Sequence, residues 1–206
     1  MIARRTLDVS RLPMYDISLH APLWWGQLML GIIEATMFSI LLACYYYSRL
    51  SVDMWPPPGT QLPGLTLPAI STFLLLLSCI GSYWASEAAK KDDRRGMILG
   101  LLLNLALALA AMAIRIAEWN RLNFTWKSDI HGTYFWAFLG LHTFDVFADL
   151  IFTFVLILIL FSGPHGPKQR QGVHVDSVVW YVLVAVWIPI YITLYWAPRF
   201  AGAPPL

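Results

Sequence analysis

Three ionisable side chains, His142, Asp145 and Asp149, are spaced i, i+3, i+7 within a long apolar run. In a helix this spacing places all three on one face. Such a face could bind a metal ion, conduct protons or form a hydrogen-bonded network with a neighbouring helix. A metal site in a helix bundle needs further ligands from facing helices, and Glu34 is the one candidate at comparable depth. We therefore predict a buried polar network with Glu34 and His142 at its centre; a proton path and a metal site are the alternatives.

Glu34 itself lies in the middle of another apolar run, in the sequence GIIEATMF. A charged side chain at membrane depth costs about 2.5–3.5 kcal/mol on insertion scales unless it is paired or hydrated. Protonation or a partner on another helix removes that cost. Glu34 is therefore either a neutral carboxyl whose hydrogen bonds fix helix packing, or a group that handles protons or contacts lipid.

Arg115 and Glu118 stand three residues apart near the end of a third apolar run. Side chains three residues apart on a helix are neighbours on one face and can pair. We predict a structural ion pair close to the membrane surface.

Haem or copper chemistry needs several histidines that project inward from helices. Of the five histidines, only His142 lies inside an apolar run; the others are at run ends or in loops, namely His20, His131, His165 and His174. We therefore predict that the chain itself holds no haem or copper. No residue is predicted to be catalytic, and no metal site is assigned.

The composition is that of a membrane protein. Of 206 residues, 58% are hydrophobic and only 13% are charged, whereas soluble domains usually carry about 25% charged residues. The net charge of +2 gives no electrostatic footprint for nucleic acid. Lipid is therefore expected to surround most of the chain, and nucleic acid is excluded as a partner.

Five apolar runs have the length of about 20 residues that a helix needs to cross a bilayer. They cover residues 24–48, 66–86, 97–119, 132–162 and 178–197. The predicted fold is an all-α integral membrane bundle of five transmembrane helices. It has an N-terminal tail over residues 1–23, a transmembrane domain over 24–197 and a C-terminal tail over 198–206.

The connections between the runs are polar or rich in proline and glycine. Residues 87–96 predict a short charged turn, and residues 163–177 predict a Gly/Pro-rich loop. The prolines at 56–58 exclude a helix there, because proline lacks the backbone donor and clashes with the preceding turn.

Lysine and arginine are distributed unevenly between the two sides of this bundle. Nine lie on the side of the N-terminus: Arg4, Arg5, Arg11, Lys90, Lys91, Arg94, Arg95, Lys168 and Arg170. Four lie on the other side: Arg49, Arg121, Lys127 and Arg199. The positive-inside rule then predicts a cytoplasmic N-terminus and an external C-terminus.

The loop Trp55-Pro56-Pro57-Pro58-Gly59 resembles a loop of subunit III of cytochrome c oxidase and related haem–copper oxidases. Further segments resemble the same family in the same order: Glu34-Ala35-Thr36-Met37-Phe38, Arg49, Asp129 to Phe135, Gly140-Leu141-His142, and Trp187, Tyr191, Tyr195 and Trp196. The resemblance extends from about residue 24 to 197 and is to the short, five-helix bacterial form. Glu34 falls on the family's membrane-buried glutamate and Arg49 on its helix-end arginine, whereas the second histidine of the family's H-G-x-H is Asp145.

This resemblance implies an accessory subunit that packs on the catalytic subunit I of a complex that reduces O2 to water with coupled proton movement. Subunit II and small subunits are further expected partners, and haem and copper belong to those partners. The chain is expected to lie in the bacterial cytoplasmic membrane, to hold phospholipid and to support sustained turnover and proton uptake. The proline loop is expected to be rigid and interfacial.

Two other functions stay open from the sequence. A homologous accessory subunit of a quinol oxidase or nitric-oxide reductase would have nearly the same features. An independent proton-linked transporter that uses Glu34, His142 and Asp145 is the second alternative, and it requires a polar path across the whole membrane.

Overall fold

Five long helices make up the structure, a computed structural model that describes residues 22–58, 60, 62–163 and 166–201. They are α1 (Pro22–Leu50), α2 (Thr66–Lys90), α3 (Arg94–Trp119), α4 (Ile130–Ser162) and α5 (Pro167–Tyr191). After α5 the chain continues through a π-helical turn (Ile192–Trp196) into the short α6 (Ala197–Ala201). Five helical stretches are long and apolar enough to cross a membrane. The predicted all-α, five-helix membrane fold is confirmed.

The predicted turn over residues 87–96 is too long. Helix α2 extends to Lys90 and α3 begins at Arg94, so the turn consists of three residues. Asp93 Oδ1 accepts a hydrogen bond of 3.1 Å from Arg95 N and so caps α3, while Asp92 adopts the left-handed conformation with φ 56°. Capping, and not the end of the apolar sequence, sets these helix ends.

The predicted loop over residues 163–177 is wrong for most of its length, because α5 already begins at Pro167. Proline is compatible with the first turn of a helix, where its missing N–H would have no partner. The Gln169 side chain accepts a hydrogen bond of 3.0 Å from Gly166 N, which satisfies a backbone donor at the helix start. The polar first turns of α5 therefore pack into the bundle, and Asp176 and Ser177 are fully buried.

Helices α2 and α3 approach each other through two glycines. A Cβ on Gly81 would lie 2.7 Å from Asn104 N, and one on Gly100 would lie 2.5 Å from Ala85 N. Both distances are shorter than any real carbon contact, so the two backbones touch where the side chains are missing. Such close packing through small residues is typical of helices within a membrane.

Helix α5 lies at the centre of the bundle and packs against α1, α2 and α4. Its two buried tryptophans are held by hydrogen bonds to α2: Trp180 Nε1 donates to Ser78 Oγ and Trp187 Nε1 donates to Thr72 Oγ1, both at 2.8 Å. Helix α1 is peripheral, and among its side chains only Phe38 and Tyr45 are fully buried in the described part of the chain.

Candidate functional site

A cavity of about 320 Å³ lies between α1, α4 and α5. Four of its lining side chains are polar, and they are Gln27, Glu34, Asp145 and Asp149. The other residues that line the cavity have no polar side chain. They are Leu30, Gly31, Ala148, Phe152, Val175, Val179, Val182 and Leu183. Three of the four residues predicted to form a buried polar network therefore meet at one place, and they are all carboxylic acids.

Glu34 of α1 and Asp145 of α4 both line this cavity. Glu34 Oε2 and Asp145 Oδ2 are buried, and neither has a hydrogen-bond partner among the residues that the structure describes. Two carboxyl groups of different helices thus face one small apolar space, which can take hydrogen-bond donors, protons or water.

His142, the other predicted centre of this network, lies in the adjacent interior and does not line the cavity. It is fully buried, its Nε2 lies 3.2 Å from Leu183 O, and its ring centroid is 4.7 Å from that of Trp187. The structure therefore groups Glu34 with Asp145 and Asp149, and it groups His142 with the aromatic core of α5.

Asp176 belongs to the same region and was missed from the sequence. It is fully buried and its Oδ1 accepts a hydrogen bond of 2.7 Å from Thr153 Oγ1 of α4. The sequence placed Asp176 in a loop outside the membrane. A signal was available, since Asp176 and the large apolar Trp180 stand four residues apart, the spacing of one helix face.

Arg115 and Glu118 form a second, separate polar cluster. Arg115 Nε lies 3.9 Å from Glu118 Oε2, and both side chains are almost inaccessible. The guanidinium carbon stands 3.8 Å above the centre of the Trp187 ring, and Tyr195 OH donates a hydrogen bond to Glu118 Oε1. The i, i+3 pair predicted from the sequence thus lies in the core of the bundle, against Trp187 of α5 and Tyr195 of the π-helical turn.

No hydrogen bond holds the Arg115 guanidinium: its three nitrogens have no hydrogen-bond partner in the described part of the chain. Its charge is balanced by the Glu118 carboxylate and the face of Trp187. A cation over an indole ring is stabilised electrostatically, and more so when it is desolvated. This arrangement fits a structural role, because the core encloses both side chains and packs Trp187 against the guanidinium.

The proline loop packs against the end of α1 and the start of α4. Trp55 is 7% exposed; its Nε1 donates a hydrogen bond of 2.9 Å to Tyr45 OH, and its ring lies 5.4 Å from that of His131. Arg49 is half-buried in the last turn of α1. The predicted loop residues Pro56, Pro57 and Pro58 are described, whereas Gly59 lies outside the described residues.

Metal coordination was one alternative for the face that carries His142, Asp145 and Asp149. Within residues 22–58, 60, 62–163 and 166–201, no three His, Cys, Asp or Glu side chains are grouped so that they could hold one metal ion. The described geometry therefore offers a carboxyl-lined cavity and a buried ion pair as the places where chemistry could occur.

Comparison with known proteins gives a consistent result along almost the whole chain. The family model of cytochrome c oxidase subunit III matches residues 12–198. A cytochrome c oxidase subunit 3 of Thermostichus vulcanus is 28% identical over 178 residues, 85% of this chain and 87% of that protein. The protein of the same name from Equus caballus is 25% identical over 84% of this chain and 68% of its own. For Pylaiella littoralis the identity is 24% over 92% of this chain and 73% of that protein.

Proposed function

Because the chain belongs to the cytochrome c oxidase subunit III family, we propose that it is an accessory subunit without cofactors in a haem–copper terminal oxidase. Family membership and the five spanning helices make it a multi-pass membrane protein of the respiratory chain that associates with other oxidase subunits. The match over residues 12–198 is the observation that carries this proposal. The partners are the catalytic subunit I, subunit II and small subunits, and the haem and copper belong to those partners.

In this proposal the chain lies in the bacterial cytoplasmic membrane with its N-terminus in the cytoplasm. The excess of lysine and arginine on the side of the α2–α3 turn supports that orientation. The Arg94 guanidinium donates to Leu160 O, through Nε at 2.8 Å, and so ties the start of α3 to the end of α4 on this side.

Lipid binding is the second part of the proposed role. The cavity between α1, α4 and α5 has a largely apolar wall, and two of the residues that line it, Leu30 and Phe152, are 43% and 47% exposed. An acyl chain would bury these apolar surfaces without leaving a polar group of its own unpaired. Lipid on this exposed apolar rim, outside the acidic part of the cavity, would keep the peripheral α1 attached to the bundle and so support sustained turnover and proton uptake by the complex.

Affinity purification in mild detergent tests the proposed partners. We expect a tagged form of the full chain to bring along a large subunit with haem absorption, in a fixed ratio. The tagged chain separated from that subunit should show no Soret band and no bound copper. Stoichiometric haem on the isolated chain, or recovery of the chain as a homo-oligomer without a haem-bearing subunit, would contradict the proposal.

Replacement of Glu34 by Gln tests the accessory role. We expect the initial rate of O2 reduction by the assembled complex to stay close to that of the wild type, because no reacting group is removed. The activity should decline sooner during turnover, since the carboxyl that α1 contributes to the cavity between α1, α4 and α5 is lost. Glu87→Gln, on the exposed end of α2, is the matched control and should change neither quantity. Immediate loss of O2 reduction in a fully assembled Glu34→Gln complex would show a catalytic part for Glu34.

A further inference from the structure

Two aspartates of different helices meet in the interface between α4 and α5. Asp149 and Thr153 lie one turn apart on the same face of α4, and Asp176 lies on α5. Thr153, one helical turn after Asp149, donates a hydrogen bond of 2.7 Å to Asp176 Oδ1. The Thr153 hydroxyl therefore holds the Asp176 carboxyl at the face of α4 that also carries Asp149.

Both carboxyls are buried and incompletely bonded. Asp149 is 7% exposed and Asp176 is fully buried. The Oδ2 atoms of both lack a hydrogen-bond partner among the described residues. A buried oxygen that accepts no hydrogen bond costs free energy. Here a bound proton, or a ligand that donates a hydrogen bond, would remove that cost.

The charged groups around the pair do not neutralise it. Acidic Glu34 on α1 and Asp145 on α4 face the same cavity. His174 precedes Asp176 by two residues, but its Nδ1 lies 3.0 Å from Ser86 Oγ of α2. At that end of the bundle, Lys90 pairs with Glu87 and Arg170 with Asp92. Arg94 donates to backbone carbonyls of α4. No lysine or arginine of the described chain forms an ion pair with either aspartate.

Two ionised carboxylates side by side in a membrane interior would repel each other strongly, because the low dielectric leaves like charges unscreened. One proton between them removes a charge and supplies the missing donor at the same time. Asp149 lines the cavity, whereas Asp176 lies behind it against α4. Asp149 is thus the member of the pair through which a proton can reach the cavity.

We infer that Asp149 and Asp176 form a proton-binding site that holds one shared proton and exchanges it with the cavity through Asp149. Glu34 and Asp145 extend the acidic wall from this site along the cavity. This site is formed by residues of this chain alone, so it goes beyond the accessory role and does not depend on which subunit accompanies the chain.

Infrared spectroscopy of the full chain, purified in mild detergent with the subunits that accompany it, tests the inference at neutral pH. The measured quantity is the carboxyl C=O band of a protonated acid in difference spectra of wild type minus variant. Asp149→Asn and Asp176→Asn each preserve side-chain shape and remove one acid. Thr153→Val removes only the hydroxyl donor, and Glu87→Gln removes an exposed acid as the control.

We expect both aspartate substitutions to remove or shift the same single band, and the double substitution to remove no further one. Thr153→Val should shift its frequency, and Glu87→Gln should leave it in place. Two bands that disappear one with each substitution would show independent protons and overturn the inference. Absence of any such band, or a band that appears only after Na⁺ is removed from the buffer, would show ionised carboxylates or a cation site, and each also overturns it.

A separate measurement tests whether the shared proton exchanges through the cavity. Ala148→Leu places a larger side chain on the cavity wall and should slow the exchange of the shared proton for deuterium. Ala43→Leu, which adds the same bulk in a different, shallow groove of α1, should leave the exchange rate unchanged. Equal exchange rates in both variants would show that the proton does not pass through the cavity.

Discussion

Replacing Glu118 by Gln is expected to destabilise the bundle by about 3–5 kcal/mol, the cost of leaving one member of a buried ion pair without its partner. Arg115 is fully buried, and a guanidinium cannot give up its proton inside a protein. The glutamine amide oxygen could still accept the hydrogen bond from Tyr195, so the change isolates the loss of negative charge. The measurement is chemical or thermal unfolding of the purified chain in detergent.

Replacing Arg115, the other member of the ion pair, should destabilise the bundle less than replacing Glu118. Arg115→Met leaves a carboxylate that protonation can neutralise, and the methionine side chain retains much of the packing against Trp187. The double variant Arg115→Met/Glu118→Gln should recover most of the stability, because it leaves no charge in the core. A Glu118→Gln variant as stable as the wild type would show that Trp187 alone compensates the guanidinium.

An exposed pair with the same sequence spacing provides the control. Lys90 and Glu87 are also three residues apart, and Lys90 Nζ lies 2.6 Å from Glu87 Oε1, but the side chains are 49% and 33% exposed. Water and salt screen such a pair, and exposed ion pairs contribute little to stability. Glu87→Gln should therefore leave the unfolding transition almost unchanged, although its ion pair is shorter than the buried one.

Gly100→Ala should destabilise the protein by separating α2 from α3. The new Cβ would lie 2.5 Å from Ala85 N and 2.7 Å from Gly81 O. These are backbone atoms, which cannot move aside as a flexible side chain can. Overpacking usually costs about 1–3 kcal/mol, and we expect a value at the upper end of that range, measured as the loss of unfolding free energy in detergent.

Gly140→Ala in α4 is the matched control for this change. It is also a helix-interior glycine, but a Cβ there would meet no atom within 4 Å. Because Ala stabilises a helix relative to Gly by about 1 kcal/mol, the control should be neutral or slightly stabilising. If Gly100→Ala behaved like Gly140→Ala, α2 and α3 would have to tolerate a wider spacing than the structure describes.

Much of the fold followed from hydropathy, because lipid requires continuous apolar helices of about 20 residues. The runs that became α1 to α4 were located close to their observed bounds. Helix α5 was not, since its first turns, which include Asp176 and Ser177, are polar and were assigned to a loop. These residues are buried by neighbouring helices and not by lipid, so hydropathy gives no signal for them.

The candidate site, like the fold, could be predicted from the sequence only in part. Arg115 and Glu118 were paired from the sequence because they are three residues apart on one helix, and local geometry is enough for that. The contact of Arg115 with Trp187 depends on how α3 and α5 pack. The sequence also singled out Glu34, Asp145 and Asp149 as acids at membrane depth.

By itself, the sequence determined a five-helix membrane bundle, the family to which it belongs, and that Glu34, Asp145 and Asp149 lie in apolar runs, because each follows from residue types along the chain. The tertiary structure alone decided that these three acids line one cavity and that Asp176 is buried beside it against α4. Contacts between helices depend on rotation and crossing, which close packing such as that of Gly81 and Gly100 sets. No periodicity within a single helix carries that information.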